Sequence, residues 1–334
     1  MRRSFAAMMV LCAMTASAAA QEIVGSGSTF CYPVMVKLIE AYARASGVQV
    51  LFQPTGSAAG MIDVQHRVVD FAVSEAPLDE MQLMRDGLSQ FPFVIGAIVP
   101  VVNIDGVSPG QLRFTGRLLA DIFLGKVTNW NDPAIAELNP DLKLPNLAIL
   151  VIHRSDGSGT TYNWAWYLST VSDEWKLKVG AYTSVGWPTG VGGKGNGGVA
   201  EKVARVRGAI GYVDQTYATS AKLAYGLVRN QAGNFVTPDT ASFQAATANV
   251  DWSKVRDFGV LLANAPDPGA YPIMATSFVM TRKYPPDPSR KRDTLGFFRW
   301  ALEHGQDLAS SLGYLPLPPQ LVRLVEDSWS ADNR

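Results

Sequence analysis

Apolar and polar positions alternate in blocks along the N-terminal third, and these blocks predict strands and helices in repeated order. Apolar residues between Val34 and Tyr42 recur every three or four positions, which predicts a helix that ends near Gly47. The same kind of pattern predicts strands over 48–52, 70–73, 94–103, 147–152, 208–213 and 277–281, and helices over 61–68, 115–124, 164–168 and 294–304. Strand, small-residue loop and helix in this order indicate an α/β fold with largely parallel strands.

The first twenty residues have the layout of a secretory leader. Arg2 and Arg3 precede an apolar run over 5–14, and three alanines over 18–20 offer a cleavage site. The apolar run is too short to span a bilayer. We therefore predict that 1–20 is a signal peptide and that the remaining chain is exported.

Composition narrows the function classes. Lys and Arg number 29 and Asp and Glu number 29, so the basic excess of a nucleic-acid binder is missing and no nucleic-acid partner is predicted. Any anion site must then act through local geometry. Cys12 leaves with the leader and only Cys31 remains, so the exported chain has no internal disulfide. No Cys/His cluster has zinc spacing, and no cofactor is predicted.

Three segments share one design, in which a loop of Gly, Ser and Thr joins a strand to a helix: 25–30, 56–59 and 156–161. Helix starts expose unpaired backbone N–H groups and the positive end of the helix dipole, which together attract anions. Each loop alone is also typical of an ordinary helix cap. Arg154 can grip an oxoanion with two hydrogen bonds, while Asp156 can orient Arg154 or cap the following helix.

Enzymatic interpretations find little support. The stretch 106–110 fits Gly-x-Ser-x-Gly, but Pro109 lacks the backbone N–H that a nucleophile elbow needs, so a turn is predicted. The stretch 193–198 fits the spacing of GxGxxG, yet it follows Trp187-Pro188-Thr189 and not a clear strand, and we interpret it as a structural loop. A secreted phosphatase remains a less favoured alternative, since neither a nucleophile with a base nor a metal-ligand set is found.

The motifs taken together resemble a known family, the periplasmic phosphate-binding protein of the bacterial ABC phosphate importer. The matching stretches cover nearly all of the exported chain in order: GSGSTF (25–30), GSAAG (56–60), DFAVSEAPL (70–78), FPFVIGAIVPVVNI (91–104), 154–161, WPTGVGGKGNGG (187–198), GAIGYVD (208–214) and the helix around Trp300. The resemblance implies a two-lobed binding protein of type II, with a ligand cleft between lobes that are joined by hinge strands. It also implies a periplasmic, non-enzymatic receptor that delivers its anion to an inner-membrane ABC permease; a monomer is predicted.

The resemblance also implies the site residues. Ser28 belongs to the first loop, and the family motif places Thr29 and Phe30 (through the backbone), Ser57 and the acid Glu75 on one lobe, with Arg154, Asp156, Ser158, Gly159 and Thr160 on the other. We place crossovers between the lobes near 95–101 and 261–270. This division assigns 21–97 and 270–334 to lobe I and 98–269 to lobe II.

Two positions depart from the family pattern. Glu75 stands where the family usually has Asp, an acid that accepts the proton of hydrogen phosphate and so rejects sulfate, which has no proton to give. Glu75 needs a shifted backbone or a bent side chain to fill the same role, or it points away from the site. Arsenate has the same protonation pattern as phosphate and remains an alternative ligand. Cys31 stands where the family tends to have Pro; a small buried side chain is favoured over a reactive thiol.

Overall fold

The computed structural model describes residues 22–331, and the predicted leader lies outside this range. Two α/β units face each other. Elements of the first unit are β1 (Ile23–Gly27), α1 (Tyr32–Ser46), β2 (Val50–Gln53), α2 (Ser57–Gln65), β3 (Phe71–Ser74), α3 (Glu80–Asp86) and β4 (Leu88–Val102), completed by the C-terminal β12 (Met274–Arg282), α11 (Pro288–His304), α12 (Gln306–Ser311) and α13 (Pro319–Ala331).

The second unit lies between β4 and β12 in the chain. Its elements are β5 (Arg113–Phe114), α4 (Gly116–Phe123), α5 (Pro133–Ala136), β6 (Leu150–Arg154), α6 (Gly159–Val171), α7 (Asp173–Lys178), β7 (Val191–Gly193), α8 (Gly195–Arg205), β8 (Ala209–Asp214), α9 (Gln215–Ser220), β9 (Ala224–Tyr225), β10 (Leu227–Arg229), β11 (Phe235–Val236) and α10 (Thr240–Thr247), followed by two short 3-10 turns over Trp252–Lys254 and Arg256–Phe258. No helix within 22–331 combines the length and the apolar character that a membrane crossing requires.

One long strand connects the two units. The sheet order is β2-β1-β3-β12-β4-β8-β6-β7, with β9 also paired to β4. Strand β4 has 15 residues, which corresponds to roughly 50 Å. It pairs with β12 from Leu88 to Ala97 and with β8 from Ile98 to Val102, so its partner changes between two adjacent residues.

Both units repeat the same strand order. In the first, β1 lies between β2 and β3 and is parallel to both; in the second, β6 lies between β7 and β8 and is parallel to both. In the first unit β12 is antiparallel to both β3 and β4, and in the second unit β4 is antiparallel to β8. The α/β, two-lobed prediction is thus confirmed, and the carboxyl ends of the parallel strands of both lobes meet at the junction between them.

Several predicted elements differ in their bounds from the structure, and three of these differences have a local cause. Helix α2 starts at Ser57, four residues before the predicted start, because Gly56 provides a positive φ of 102° that turns the chain directly from β2 into the helix. Strand β4 starts at Leu88, since Pro92 pairs with Phe278 directly beside a register shift, where a missing N–H is tolerated. The loop predicted over 193–198 is wrong, because this stretch contains the end of strand β7 and the start of helix α8.

Aromatic packing in lobe II holds the strand that carries Arg154. The rings of Trp164 and Tyr212 are stacked with centroids 5.0 Å apart, and both are fully buried. The Tyr212 hydroxyl accepts the Arg154 backbone N–H at 3.2 Å and shares a hydrogen bond of 2.6 Å with Thr161 Oγ1. A buried phenol that is bonded in this way ties the end of β6 to the first turn of α6.

Candidate functional site

Four helix starts converge on the junction between the lobes: those of α1, α2, α6 and α8. Helix α6 is capped by Ser158, whose Oγ accepts the Thr161 N–H at 3.0 Å. Among the described residues, the starts of α1, α2 and α8 receive no side-chain cap. Their first N–H groups can therefore turn to a ligand or to residues of the site.

Glu75 lies at the end of β3 and is the acceptor of lobe I. Its Oε1 accepts hydrogen bonds from Ser28 Oγ at 2.5 Å and Ser277 Oγ at 2.9 Å, and its Oε2 lies 3.4 Å from Ser57 Oγ. The side chain is 1% exposed. Because all three partners are hydroxyl donors, they favour the ionised carboxylate, and Oε2 is the oxygen that faces lobe II.

The orientation of Glu75 decides between alternatives that the sequence left open. The alternative in which it points away from the site is wrong, since the carboxyl is buried among residues of both lobes. Glu75 Oε1 reaches as far as Ser277 on β12, whose hydroxyl donates to it at 2.9 Å. Burial raises the pKa of Glu75, and the hydroxyl donors and the positive charge of Arg154 offset only part of that rise.

Arg154 is the buried cation of the site, with 3% of its surface exposed. Its Nε and Nη2 donate to the two oxygens of Asp156 at 2.8 and 2.5 Å, and Nη1 donates to Thr160 Oγ1 at 3.3 Å. Burial opposes ionisation of Asp156, but Arg154 outweighs it and lowers the pKa of that carboxyl. Asp156 therefore orients Arg154 and does not cap α6, a role that Ser158 fills. Its Oδ1 also accepts the Gly195 N–H at 2.9 Å, at the start of α8.

The two lobes touch directly at the site. The Gly159 N–H donates to Ser57 Oγ at 2.9 Å, and the Ala58 N–H donates to Gly157 O at 3.1 Å. A methyl group at Gly159 would lie 2.6 Å from the backbone nitrogen of Glu75, closer than atoms can pack. Glycine at this position is thus a condition for the lobes to meet, and the structure represents the closed arrangement.

Helices α8 and α9 each contribute a residue that the sequence interpretation missed. Asn196 is fully buried, and its Nδ2 donates to Thr29 Oγ1 at 2.9 Å and to Thr160 Oγ1 at 3.1 Å. The Tyr217 hydroxyl donates to Thr29 O at 2.7 Å. The signal for α8 is the glycine-rich stretch over 187–198, but the three residues of β7 that precede the helix are too few to show a strand pattern.

All ten residues predicted for the site lie at this junction. The first group surrounds Glu75, the second surrounds Arg154, and short contacts link the two groups: Ser28, Thr29, Phe30, Ser57 and Glu75 from lobe I, with Arg154, Asp156, Ser158, Gly159 and Thr160 from lobe II. Their roles as ligand contacts stay a prediction. Cys31 is fully buried beneath Glu75, where burial and the nearby carboxylate raise the pKa of the thiol, so the preference for a small buried side chain is confirmed.

The charge balance of the site shows what holds an anion here. One buried cation, Arg154, faces the carboxyls of Asp156 and Glu75, so there is no net positive charge to attract a ligand. Donors must come from N–H groups at helix starts and from hydroxyls. Within 22–331, no group of three or more His, Cys, Asp or Glu is placed to hold a metal ion. The arrangement suits a small oxoanion that accepts many hydrogen bonds and donates one.

Comparison with known families defines the class of this protein. A model described as a PBP superfamily domain matches residues 13–303, which is most of the chain. The strand order and the two facing lobes are those of a solute-binding protein. The chain belongs to this superfamily, and the match agrees with the fold predicted from the sequence.

Curated relatives identify the family within that class. The chain is 48% identical over 311 residues to the phosphate-binding protein PstS of Xylella fastidiosa, which covers 93% of this chain and 85% of the relative. It is 44% identical to PstS of Haemophilus influenzae, with 94% of both chains covered. The chain therefore belongs to the PstS family, and the resemblance found in its motifs is confirmed.

Solved structures show the same fold at low identity. A periplasmic phosphate-binding protein called PfluDING, solved with phosphate, superposes with a TM-score of 0.70 at 18% identity and covers 92% of this chain and 94% of its own. A phosphate-binding protein from Stenotrophomonas maltophilia gives a TM-score of 0.68 at 17% identity, covering 92% and 93%. At these identities the similarity concerns the fold alone.

Proposed function

We propose that this protein is a periplasmic receptor that encloses hydrogen phosphate between its lobes and delivers it to the permease of an ABC importer. One observation carries the proposal. A buried acceptor, Glu75 Oε2, faces the donor-rich start of α6 and Arg154 across a closed junction. A ligand that fits must accept many hydrogen bonds and give one proton, as hydrogen phosphate does.

The roles divide between the lobes. Thr29 and Phe30 would offer backbone N–H groups and Ser57 a hydroxyl, while Glu75 accepts the ligand proton. The Phe30 N–H would turn to the ligand from Ser28 Oγ, and the Ser57 proton from Glu75 Oε2. From the other side, Arg154 and the start of α6 (Ser158, Gly159 and Thr160) would donate, with the Gly159 N–H turning to the ligand from Ser57 Oγ, and Asp156 holds the arginine in place. Sulfate lacks the proton, so it would leave a buried carboxylate facing an anion, a mismatch that gives roughly 10⁴-fold rejection in comparable sites.

The hinge and the lobe division follow from β4. We assign 21–97 and 270–334 to lobe I and 98–269 to lobe II, and the change of β4 partner between Ala97 and Ile98 supports the first boundary. The chain returns through 263–273, where Ala263 and Ile273 form an isolated bridge and Ile273 O accepts the Ile98 N–H at 2.9 Å. Two crossings side by side allow hinge closure around a ligand.

The cellular setting is part of the proposal. The leader-like residues 1–20 support export, and the names of the PstS relatives support phosphate as the ligand. We infer a monomer that hands its ligand to an inner-membrane permease and catalyses no reaction. The stretch 106–110 lies in a turn after β4, which gives the phosphatase alternative no elbow between a strand and a helix.

Calorimetric titration of the purified protein, freed of bound ligand, with phosphate, arsenate and sulfate tests the proposal. Phosphate should bind, arsenate should compete, and sulfate should not. Arg154→Ala should weaken phosphate binding by about 10³-fold, since it leaves buried carboxyls without their cation. Ser158→Ala should weaken it by roughly tenfold or more, through the lost cap and hydroxyl.

Matched controls separate binding from folding. Arg117→Ala removes an exposed arginine that pairs with Asp121. Ser172→Ala removes the serine that caps α7, in the same way as Ser158 caps α6. Both should bind phosphate as the wild type does. The proposal fails if phosphate does not bind, or if Arg154→Ala and Ser158→Ala keep the wild-type affinity. A preference for arsenate over phosphate would identify the alternative ligand.

A further inference from the structure

We propose that Asn196 is a positioning residue of the anion site, whose side-chain amide turns one threonine hydroxyl from each lobe towards the bound anion. The inference rests on the proposed function and deepens it. Asn196 touches Thr29 on lobe I and Thr160 on lobe II, at 2.9 and 3.1 Å. It lies at the start of α8, outside the residues that the family motif assigns to the site.

The orientation of the amide follows from its neighbours. Asn196 Oδ1 accepts the backbone N–H of Asp214 at 2.9 Å. That contact places the oxygen, so the NH₂ group must face the two threonines. The side chain is fully buried, and both protons of its NH₂ group are used.

The consequence concerns the hydroxyl protons. Thr29 Oγ1 accepts from both Nδ2 and the backbone N–H of Asn196, the latter at 3.1 Å. Thr160 Oγ1 accepts from Asn196 Nδ2 and Arg154 Nη1. A hydroxyl has two acceptor positions and one proton, so both acceptor positions of each oxygen are occupied. Among the described residues neither hydroxyl donates to a protein acceptor, and each proton is left for the anion.

The hydrogen bonds from Asn196 to the two threonines also link the orientation of their hydroxyls to closure of the lobes. Asn196 and Thr160 belong to lobe II, whereas Thr29 belongs to lobe I, so the contact with Thr29 exists only when the lobes meet. When the lobes separate, Thr29 Oγ1 loses both of its Asn196 partners, so Asn196 no longer orients its hydroxyl. Closure thus orients a donor at the moment when the anion is enclosed. The hydrogen bond between Asn196 and Thr29, formed on closure, offsets the entropic cost of ordering that hydroxyl.

Substitutions of Asn196 test the inference by titration with inorganic phosphate. Asn196→Ala should weaken binding by about 10- to 100-fold, through the loss of two oriented donors. Asn196→Asp keeps the shape and the acceptor for Asp214, but its carboxylate would accept the hydroxyl protons that the anion needs and would repel the anion. It should bind at least about tenfold more weakly than Asn196→Ala. A role limited to packing predicts the opposite order, because Asp fills the space and Ala does not.

Phosphate affinity measured over a series of pH values adds a test whose result does not depend on packing. Lowering the pH protonates the carboxylate introduced by Asn196→Asp, which then regains an O–H donor, so the affinity of this variant relative to the wild type should rise as pH falls. The ratio for Asn196→Ala should stay flat. The charged and titratable groups around this position, namely Glu75, Arg154, Asp156, Asp214 and Tyr217, are common to all variants, so the ratio to the wild type at each pH removes their contribution.

Asn139→Ala is the matched control. Asn139 is buried and its Nδ2 also makes two hydrogen bonds, to Arg113 O and Ile135 O, but both lie within lobe II. It should retain wild-type affinity when folded protein is selected by circular dichroism. Two outcomes overturn this inference alone, provided that the wild type binds phosphate. In the first, the phosphate affinities of both Asn196 variants lie within threefold of the wild-type affinity. In the second, Asn196→Asp binds phosphate no more weakly than Asn196→Ala, and its affinity relative to the wild type does not change with pH. Failure of the wild type to bind phosphate refutes the proposed function itself.

Discussion

The two lobes have the same strand order but bring opposite chemistry to their junction. In each lobe the first strand lies between the second and third, and a helix start follows the first two strands. Lobe I contributes the buried acceptor Glu75 with its serine hydroxyls. Lobe II contributes Arg154 and the starts of α6 and α8, which are donors. The repeated topology places strand ends and helix starts at the junction in both lobes. The side chains at these places then decide whether each lobe contributes acceptors or donors.

The comparison is sharpest at the third strand of each lobe. Glu75 follows β3 and Asp214 ends β8, so the two carboxyls occupy corresponding places, and both are 1% exposed. Glu75 faces the opposite lobe. Asp214 turns back to cap α9, where its Oδ1 accepts from the Thr216 N–H at 2.9 Å and the Tyr314 hydroxyl at 3.1 Å. The first acid is the one proposed to meet the ligand, and the second joins elements next to the proposed hinge.

The largest effect is expected on the ratio of phosphate to sulfate affinity, when Glu75, the acceptor of lobe I, is replaced by a residue that does not repel sulfate. In Glu75→Gln the carboxylate is replaced by an amide that can donate to a fully ionised anion. The ratio of phosphate to sulfate affinity should fall by about 10³-fold, since the mismatch that excludes sulfate is gone. Competition between the two anions, followed by calorimetry, measures this ratio.

Glu174→Gln is the control for charge alone, because Glu174 lies on the surface and pairs with Lys126 and Lys178. It should leave the ratio unchanged. If Glu75→Gln kept wild-type discrimination, the acceptor assigned to lobe I would be misplaced, and the difference between the two lobes would have to be sought in Arg154 and the helix starts.

The corresponding acid of lobe II should act on stability and its dependence on pH. Burial raises the pKa of Asp214 to about 7, above its ordinary value of 3.8. The folded state therefore holds this proton more tightly than the unfolded chain. The resulting stability is fully present below pH 3.8 and is lost as the pH rises through about 7, a change on the order of 4 kcal/mol.

Urea unfolding of phosphate-free protein at about pH 5 and about pH 8 measures that loss. The free energy of unfolding of the wild type should fall by roughly 3 kcal/mol more than that of Asp214→Asn, which keeps the cap but has no proton to lose. Asp239→Asn alters the exposed cap of α10 and should follow the wild type. Equal pH dependence in the wild type and Asp214→Asn would show that Asp214 is not the acid that distinguishes lobe II.

The smallest expected effect concerns the support of Glu75. Ser277→Ala removes a donor at 2.9 Å from Oε1, so the ionised carboxylate is less stabilised and less firmly oriented. Phosphate affinity should fall by about tenfold, as for a hydrogen bond to a charged group. Ser277→Thr keeps the hydroxyl and should restore most of the affinity, which a simple packing defect would not explain.

Ser26→Ala provides the comparison for Ser277, because Ser26 is equally buried but its hydroxyl donates to Asp63 at 2.7 Å. Titration of the three variants under one buffer compares them directly. Identical affinities for Ser277→Ala and the wild type would mean that Ser28 and Ser57 suffice to hold Glu75.

Local patterns predicted much of the fold because they report local physics. Thr115 caps α4 by accepting the Leu118 N–H, as its place before an apolar helical run indicated, and Gly47 ends α1 with a positive φ of 74°. Strand β7 and the start of α8 escaped prediction because three residues cannot establish a period. The length of β4 was underestimated because Pro92 resembles a strand end until its place at a bulge is known.

The sequence by itself determined the class of chemistry: glycine, serine and threonine before helices, one arginine with an aspartate, and an acid after a strand indicate an oxoanion held without net charge. The tertiary structure alone decided how these parts act together. Ser277 reaches Glu75 across 202 positions and Asn196 reaches Thr29 across 167. No local pattern records such contacts, because they exist only once two sheets have folded and the lobes have met.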